Sequence, residues 1–94
     1  MAPRSVRDLT MSRRVGEEVQ RLRLQAGMTR SDLMRRTHEL GRLIPASSIL
    51  DIERGFAWGG SGRSVSVDEL YVLAAALDVS PLELLEPGRA GAAR

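Results

Sequence analysis

The residues of this chain best suited to chemistry are its arginines: all fourteen basic residues are Arg and none is Lys. A guanidinium stays charged at any ordinary pH and presents a planar fork of donors that matches a phosphate, so a set of them points to polyanion binding. Their distribution is uneven. Residues 1–42 carry ten Arg against five acids, a balance of +5, whereas residues 64–88 carry five acids and no Arg, a balance of −5. One end of the molecule is therefore suited to face phosphates and the other to face away. With a net charge of only +2, the same arginines also fit solvated helix faces. Catalytic and metal chemistry has little to work with. There is no Cys, so disulfides and thiolate metal sites are excluded, and the single imidazole, His38, cannot make a protein-only zinc site. No nucleophile with a base and no carboxylate pair on a cleft is evident, so the expectation is a non-enzyme without cofactor or metal. Gly59-Gly60-Ser61-Gly62 is not a phosphate loop, because no strand pattern precedes it and no Lys-Ser/Thr follows.

The elements that must position these arginines are helices. Ninety-four residues make one domain with a single small core. No apolar run approaches a membrane span and the N-terminus lacks a signal-peptide pattern, so a cytoplasmic protein is expected. Val15, Val19, Leu22 and Ala26 recur at helical spacing and predict a first helix over 12–26, stopped by Gly27. Thr29, with Asp32 three residues on, nearly spells a capping box and opens a second helix over 30–40, broken by Gly41. Pro45 suits a first helical turn, and Ile49 and Ile52 give a third helix, 45–54, its inward face. A long Gly/Ser-rich loop, 55–66, follows. Its Phe56 and Trp58 either pin it to the core or form a partner surface. Ser66 or Val67 opens a fourth helix through Leu70, Leu73, Ala74 and Leu77, with 64–67 also readable as a short extended piece. Ser80-Pro81 opens a short fifth helix through Leu82 and Leu85, ended by Pro87-Gly88. Met28 and Met34 read as gap-fillers, and His38, near the end of the second helix, has no assigned chemistry. The domain is set at 12–86, between an N-terminal arm, 1–11, and a C-terminal tail, 87–94. The arm, with Arg4 and Arg7, is either a plain tail or a minor-groove contact.

Three stretches occur in order: Gly27-Met28-Thr29-Arg30-Ser31-Asp32-Leu33, then Ser48-Ile49-Leu50-Asp51-Ile52-Glu53-Arg54-Gly55, then Val67-Asp68-Glu69-Leu70 with Leu73-Ala74-Ala75-Ala76-Leu77-Asp78-Val79-Ser80-Pro81. Over about residues 12–86 this resembles the lambda-repressor-like (Xre/Cro-type) helix-turn-helix family. The resemblance implies an all-α fold of five short helices that binds double-stranded operator DNA as a homodimer and regulates transcription, most simply as a repressor. It implies that the third helix enters the major groove while Thr29 and Arg30, at the start of the second, hold phosphate. By the same resemblance Ala46, Ser47, Ser48, Leu50 and Asp51 face the groove, Arg54 and Arg63 reach phosphate or the minor groove, and Glu53 is structural. The sequence departs from the pattern twice. The turn before the third helix is several residues too long, so either the second helix extends or the turn widens. The reading face also lacks Gln, Asn and Arg, the bidentate base readers, which leaves Arg42, flanked by Arg35 and Arg36, as a substitute. The dimer surface is expected on the fifth helix and the acidic C-terminal face. The alternative is a protein-interaction module on the same fold, using the C-terminal helices or the Phe56/Trp58 loop.

Overall fold

The computed structural model describes residues 10–54 and 64–86, and among them the only regular elements are five α-helices. They are α1 (Thr10–Gln25), α2 (Arg30–Glu39), α3 (Ala46–Arg54), α4 (Val67–Ala76) and α5 (Pro81–Leu85). The all-α architecture is as expected, with boundaries shifted by a residue or two: α1 begins at Thr10 and α3 at Ala46. Residues 1–9 with Arg4 and Arg7, residues 55–63 with Phe56, Trp58 and Arg63, and the C-terminal tail lie outside the described residues, while the last two residues of the expected arm belong to α1.

Local chemistry explains where the helices start. Thr29 and Ser66 each accept the amide of the residue three on, and the carboxylates of Asp32 and Glu69 return the bond to the cap amides, giving two complete capping boxes. Ser80 caps α5 ahead of Pro81. Three helices end the same way. The amides of Gly27 and Met28 reach back to the carbonyls of Leu24 and Arg23, those of Gly41 and Arg42 to His38 and Thr37, and those of Asp78 and Val79 to Ala75 and Ala74. Each pair is a Schellman closure, which needs a left-handed residue at its pivot. Gly27 and Gly41 supply it with φ of 73° and 96°, and Asp78 supplies it with φ of 63°.

The core gathers Val15 and Val19 from α1, Leu33 from α2, Ile49 and Ile52 from α3, Leu70 and Leu73 from α4, and Leu84 from α5. α1 packs chiefly on α3 and also on α5, while α2 bridges α3 and α4. The α1–α3 crossing is close because of one residue: a Cβ at Gly16 would overlap the carbonyl oxygen of Ile52. One expected inward position differs. Ala26 is exposed, since α1 has ended and the chain is already turning at Gly27. On α5 the fully buried leucine is Leu84, and Leu82 points to solvent.

The region between α2 and α3 is a widened turn, not an extension of α2. Thr37, fully buried, organises it: its carbonyl accepts the Arg42 amide at 3.1 Å, and its hydroxyl accepts the Ile44 amide at 2.9 Å while donating to the Met34 carbonyl at 2.7 Å. Ile44 is thereby drawn into the core and delivers the chain to Pro45, whose carbonyl accepts the amide of Ile49.

Candidate nucleic-acid interface

α3 divides cleanly into two faces. At about 100° per residue, Ile49, Ile52 and Glu53 fall on one side and are buried, while Ser47, Asp51 and Arg54 form an exposed stripe opposite. Ala46, Ser48 and Leu50 flank the stripe and are half-buried. The five residues expected to face a groove and Arg54, expected to reach phosphate or the minor groove, thus share one outward surface. Its chemistry is mild: two hydroxyls, apolar Ala46 and Leu50, one carboxylate and one guanidinium. A Ser hydroxyl both donates and accepts, so it discriminates poorly between bases, and Asp51 at the centre repels phosphate.

Beneath that face lies a buried ion cluster. Glu53, its side chain wholly enclosed, accepts from Arg23 Nε at 2.7 Å and Nη2 at 3.1 Å, and from Arg30 Nε at 2.9 Å. The third nitrogen of Arg23, Nη1, donates to the Met28 carbonyl at 2.8 Å. One carboxylate on α3 therefore holds the end of α1 and the start of α2 together, and Arg23 also fastens the α1–α2 turn. Arg23 is 6% exposed and Arg30 34%, so the first is a structural cation and the second still presents part of its guanidinium to solvent.

Thr29 and Arg30 sit where expected, at the start of α2, but both are already engaged. The Thr29 hydroxyl oxygen accepts the Asp32 amide, and the Asp32 carboxylate lies on the Thr29 N–H at 2.9 Å. That N–H, then the Thr29 hydroxyl and the Arg35 guanidinium, hold the Asp32 carboxyl below the usual carboxylate range. A protein carboxylate thus already meets the positive end of this helix. The amides of Arg30 and Ser31, at the first two helical positions, have no intrahelical acceptor and remain the donors suited to an external anion.

The remaining arginines divide. Arg35 pairs with Asp32 on the surface of α2. Arg36 donates from Nη1 to the Ala76 carbonyl at 2.7 Å, capping α4 from outside, a scaffold role in place of a flanking one. Arg42 lies in the widened turn and borders a groove with Asp68 and Tyr71 of α4. His38 is exposed near the end of α2.

Comparison with known protein families, curated proteins and solved structures finds no match to this chain. The site consequently rests on its own geometry. Among the described residues no three His, Asp or Glu side chains gather as a metal site, and no helix is long and apolar enough to cross a membrane.

Sequence reasoning passed over Arg23 and Gly16. The i, i+4 step from Val15 to Val19 continues to residue 23, so an arginine stood on the inward stripe of α1, and a buried partner was the inference available from that spacing.

Proposed function

We propose that this protein is a lambda-repressor-like helix-turn-helix regulator that binds double-stranded DNA by laying the outward face of α3 in the major groove. The observation that carries the reading is the division of α3. Ile49, Ile52 and Glu53 lock it to the scaffold, Ser47, Asp51 and Arg54 are turned out together, and Glu53 ties that helix to Arg30 at the start of α2. A helix-turn-helix uses these two parts, one for base edges and one for backbone phosphate. With no strong base reader on α3, phosphate contacts by Arg30 and Arg54 and the shape of the duplex dominate recognition, and hydroxyl and methyl contacts add modest preference. A module this small gains useful affinity by pairing two half-sites, so it acts as a homodimer and represses by occupying the operator. It works in the cytoplasm, on the nucleoid.

A second reading is favoured by Asp51 at the centre of the stripe and by the exposed Leu40, Leu43 and Tyr71: a protein-interaction module with little DNA readout. Fluorescence anisotropy on random-sequence duplexes separates the two. The DNA reading expects retention that weakens with salt, a slope reduced by about one for Arg54→Ala and for Arg30→Ala, and tighter binding by Asp51→Asn. A wild-type chain with no salt-sensitive retention at low ionic strength rules it out.

A further inference from the structure

The turn before α3 and the outward side of α4 contribute to one surface. Leu40 from the turn and Tyr71 from α4 are each more than half exposed, at 52% and 60%. On α4, Tyr71 and Ala75 are four residues apart and so stand on one side of the helix. Leu40, Gly41, Arg42, Asp68, Tyr71 and Ala75 border a common shallow groove. Exposed large apolar residues concentrated this way mark an interaction surface more often than isolated ones do.

The charges of the groove say what covers it. Arg42 comes from the turn and Asp68 from α4, so they approach from its two sides, and neither has an ion-pair partner among the described residues. A patch with an apolar centre, one free cation and one free anion is complementary to itself. A two-fold axis passing beside Tyr71 would set Arg42 of each copy against Asp68 of the other and close Tyr71 on Tyr71, with exposed Ala75 giving the second helix room.

We infer that this face joins two copies of the chain, through α4 and the widened turn. The widened turn then has a use: it carries Leu40 and Arg42 out to the partner. α5, expected from the sequence to form the dimer surface, has turned Leu84 inward and leaves Leu82 exposed. The inference takes the pairing of two copies from the proposed function, but it is tested without DNA, so the two can fail separately.

Sedimentation equilibrium of the full chain, from micromolar to near-millimolar concentration, is the test. A reversible monomer–dimer equilibrium is expected, weak because the patch is below the size of a standard interface. Tyr71→Asp, Arg42→Asp and Asp68→Arg should each weaken it about tenfold or more, and Arg42→Asp with Asp68→Arg should regain most of that loss. Leu82→Asp on α5 should leave the constant unchanged, and thermal melts monitored by circular dichroism should confirm that each variant is folded. The interface is refuted by a wild type that stays monomeric throughout, by a double reversal no tighter than the single changes, or by a dimer broken by Leu82→Asp. A monomer that still binds DNA refutes the interface alone. A dimer that binds none refutes the DNA reading alone.

Discussion

Replacing Glu53 by Gln keeps the shape of the side chain and removes its charge. The carboxylate is wholly enclosed and accepts three hydrogen bonds from two guanidinium groups, one of them, Arg23, itself 6% exposed. Neutralising it leaves the Arg23 cation buried without a counter-charge and turns an amide N–H2 towards its donors. Removing one partner of a buried pair in this way costs about 3–5 kcal/mol. A small domain has in all about 5–15 kcal/mol, so about a fifth of the total or more is at stake. Arg30→Ala provides the contrast. Arg30 is a third exposed and its loss leaves Glu53 with both bonds from Arg23, so solvent screening and the remaining partner hold the cost to about 1 kcal/mol. Urea unfolding followed at 222 nm reads both. With a slope of about 1–2 kcal/mol per molar urea, Glu53→Gln should lower the midpoint by roughly 2 M and Arg30→Ala by less than about 1 M. Arg23→Ala should resemble Glu53→Gln. A Glu53→Gln protein within 1 kcal/mol of wild type, or an Arg30→Ala protein as unstable as Arg23→Ala, would refute the reasoning.

Other expectations follow from single contacts. Gly16→Ala should destabilise the domain by about 1–3 kcal/mol despite the better helix propensity of alanine, since the new methyl group meets the Ile52 carbonyl; an unchanged or raised melting temperature counts against the close crossing. Thr37→Val keeps the buried volume but strips the Ile44 amide of its acceptor, a loss of about 1–3 kcal/mol by urea unfolding, and no loss would mean that the turn is held by other bonds. The Asp32 carboxyl is held below its unfolded value, so its contribution is complete above the unfolded pKa, about 3.9, and is lost as pH falls through the lower folded value. The difference in urea midpoint between wild type and Asp32→Asn should therefore stay constant from pH 5 to 8 and shrink below about pH 4; a difference that grows with acidification contradicts the assigned bonds.

Much of this architecture is legible in the sequence because it is local. Thr29 with Asp32, Ser80 with Pro81, and the left-handed Gly27 and Gly41 each act within four residues of their own position, and the helix limits they imply agree with the structure to within two residues. The outward placement of Ser47, Asp51 and Arg54 is legible for the same reason, as helical periodicity fixes a face once its apolar side is known. The ion cluster was not. Arg23 and Glu53 are thirty residues apart, and nothing local tells an arginine with a buried partner from one in water, save its position on the inward stripe. Gly16 is hidden similarly: a glycine inside a helix reads as a weak point until the backbone passing beside it is known. The widened turn depended on Thr37, whose hydroxyl substitutes for backbone pairing seven residues away, a bond that propensity does not encode.

The cluster around Glu53 also bears on how a partner meets α3. Lifting α3 from the scaffold would break the enclosed Glu53–Arg23 pair and leave a buried charge without its partner, so its central amides should exchange with solvent only when the whole domain unfolds. The outward stripe is thus already ordered before any encounter. A ligand of α3 finds side chains whose backbone freedom was lost during folding, and association carries little further ordering cost. Its rate is then governed by charge and diffusion, with no conformational rearrangement to wait for.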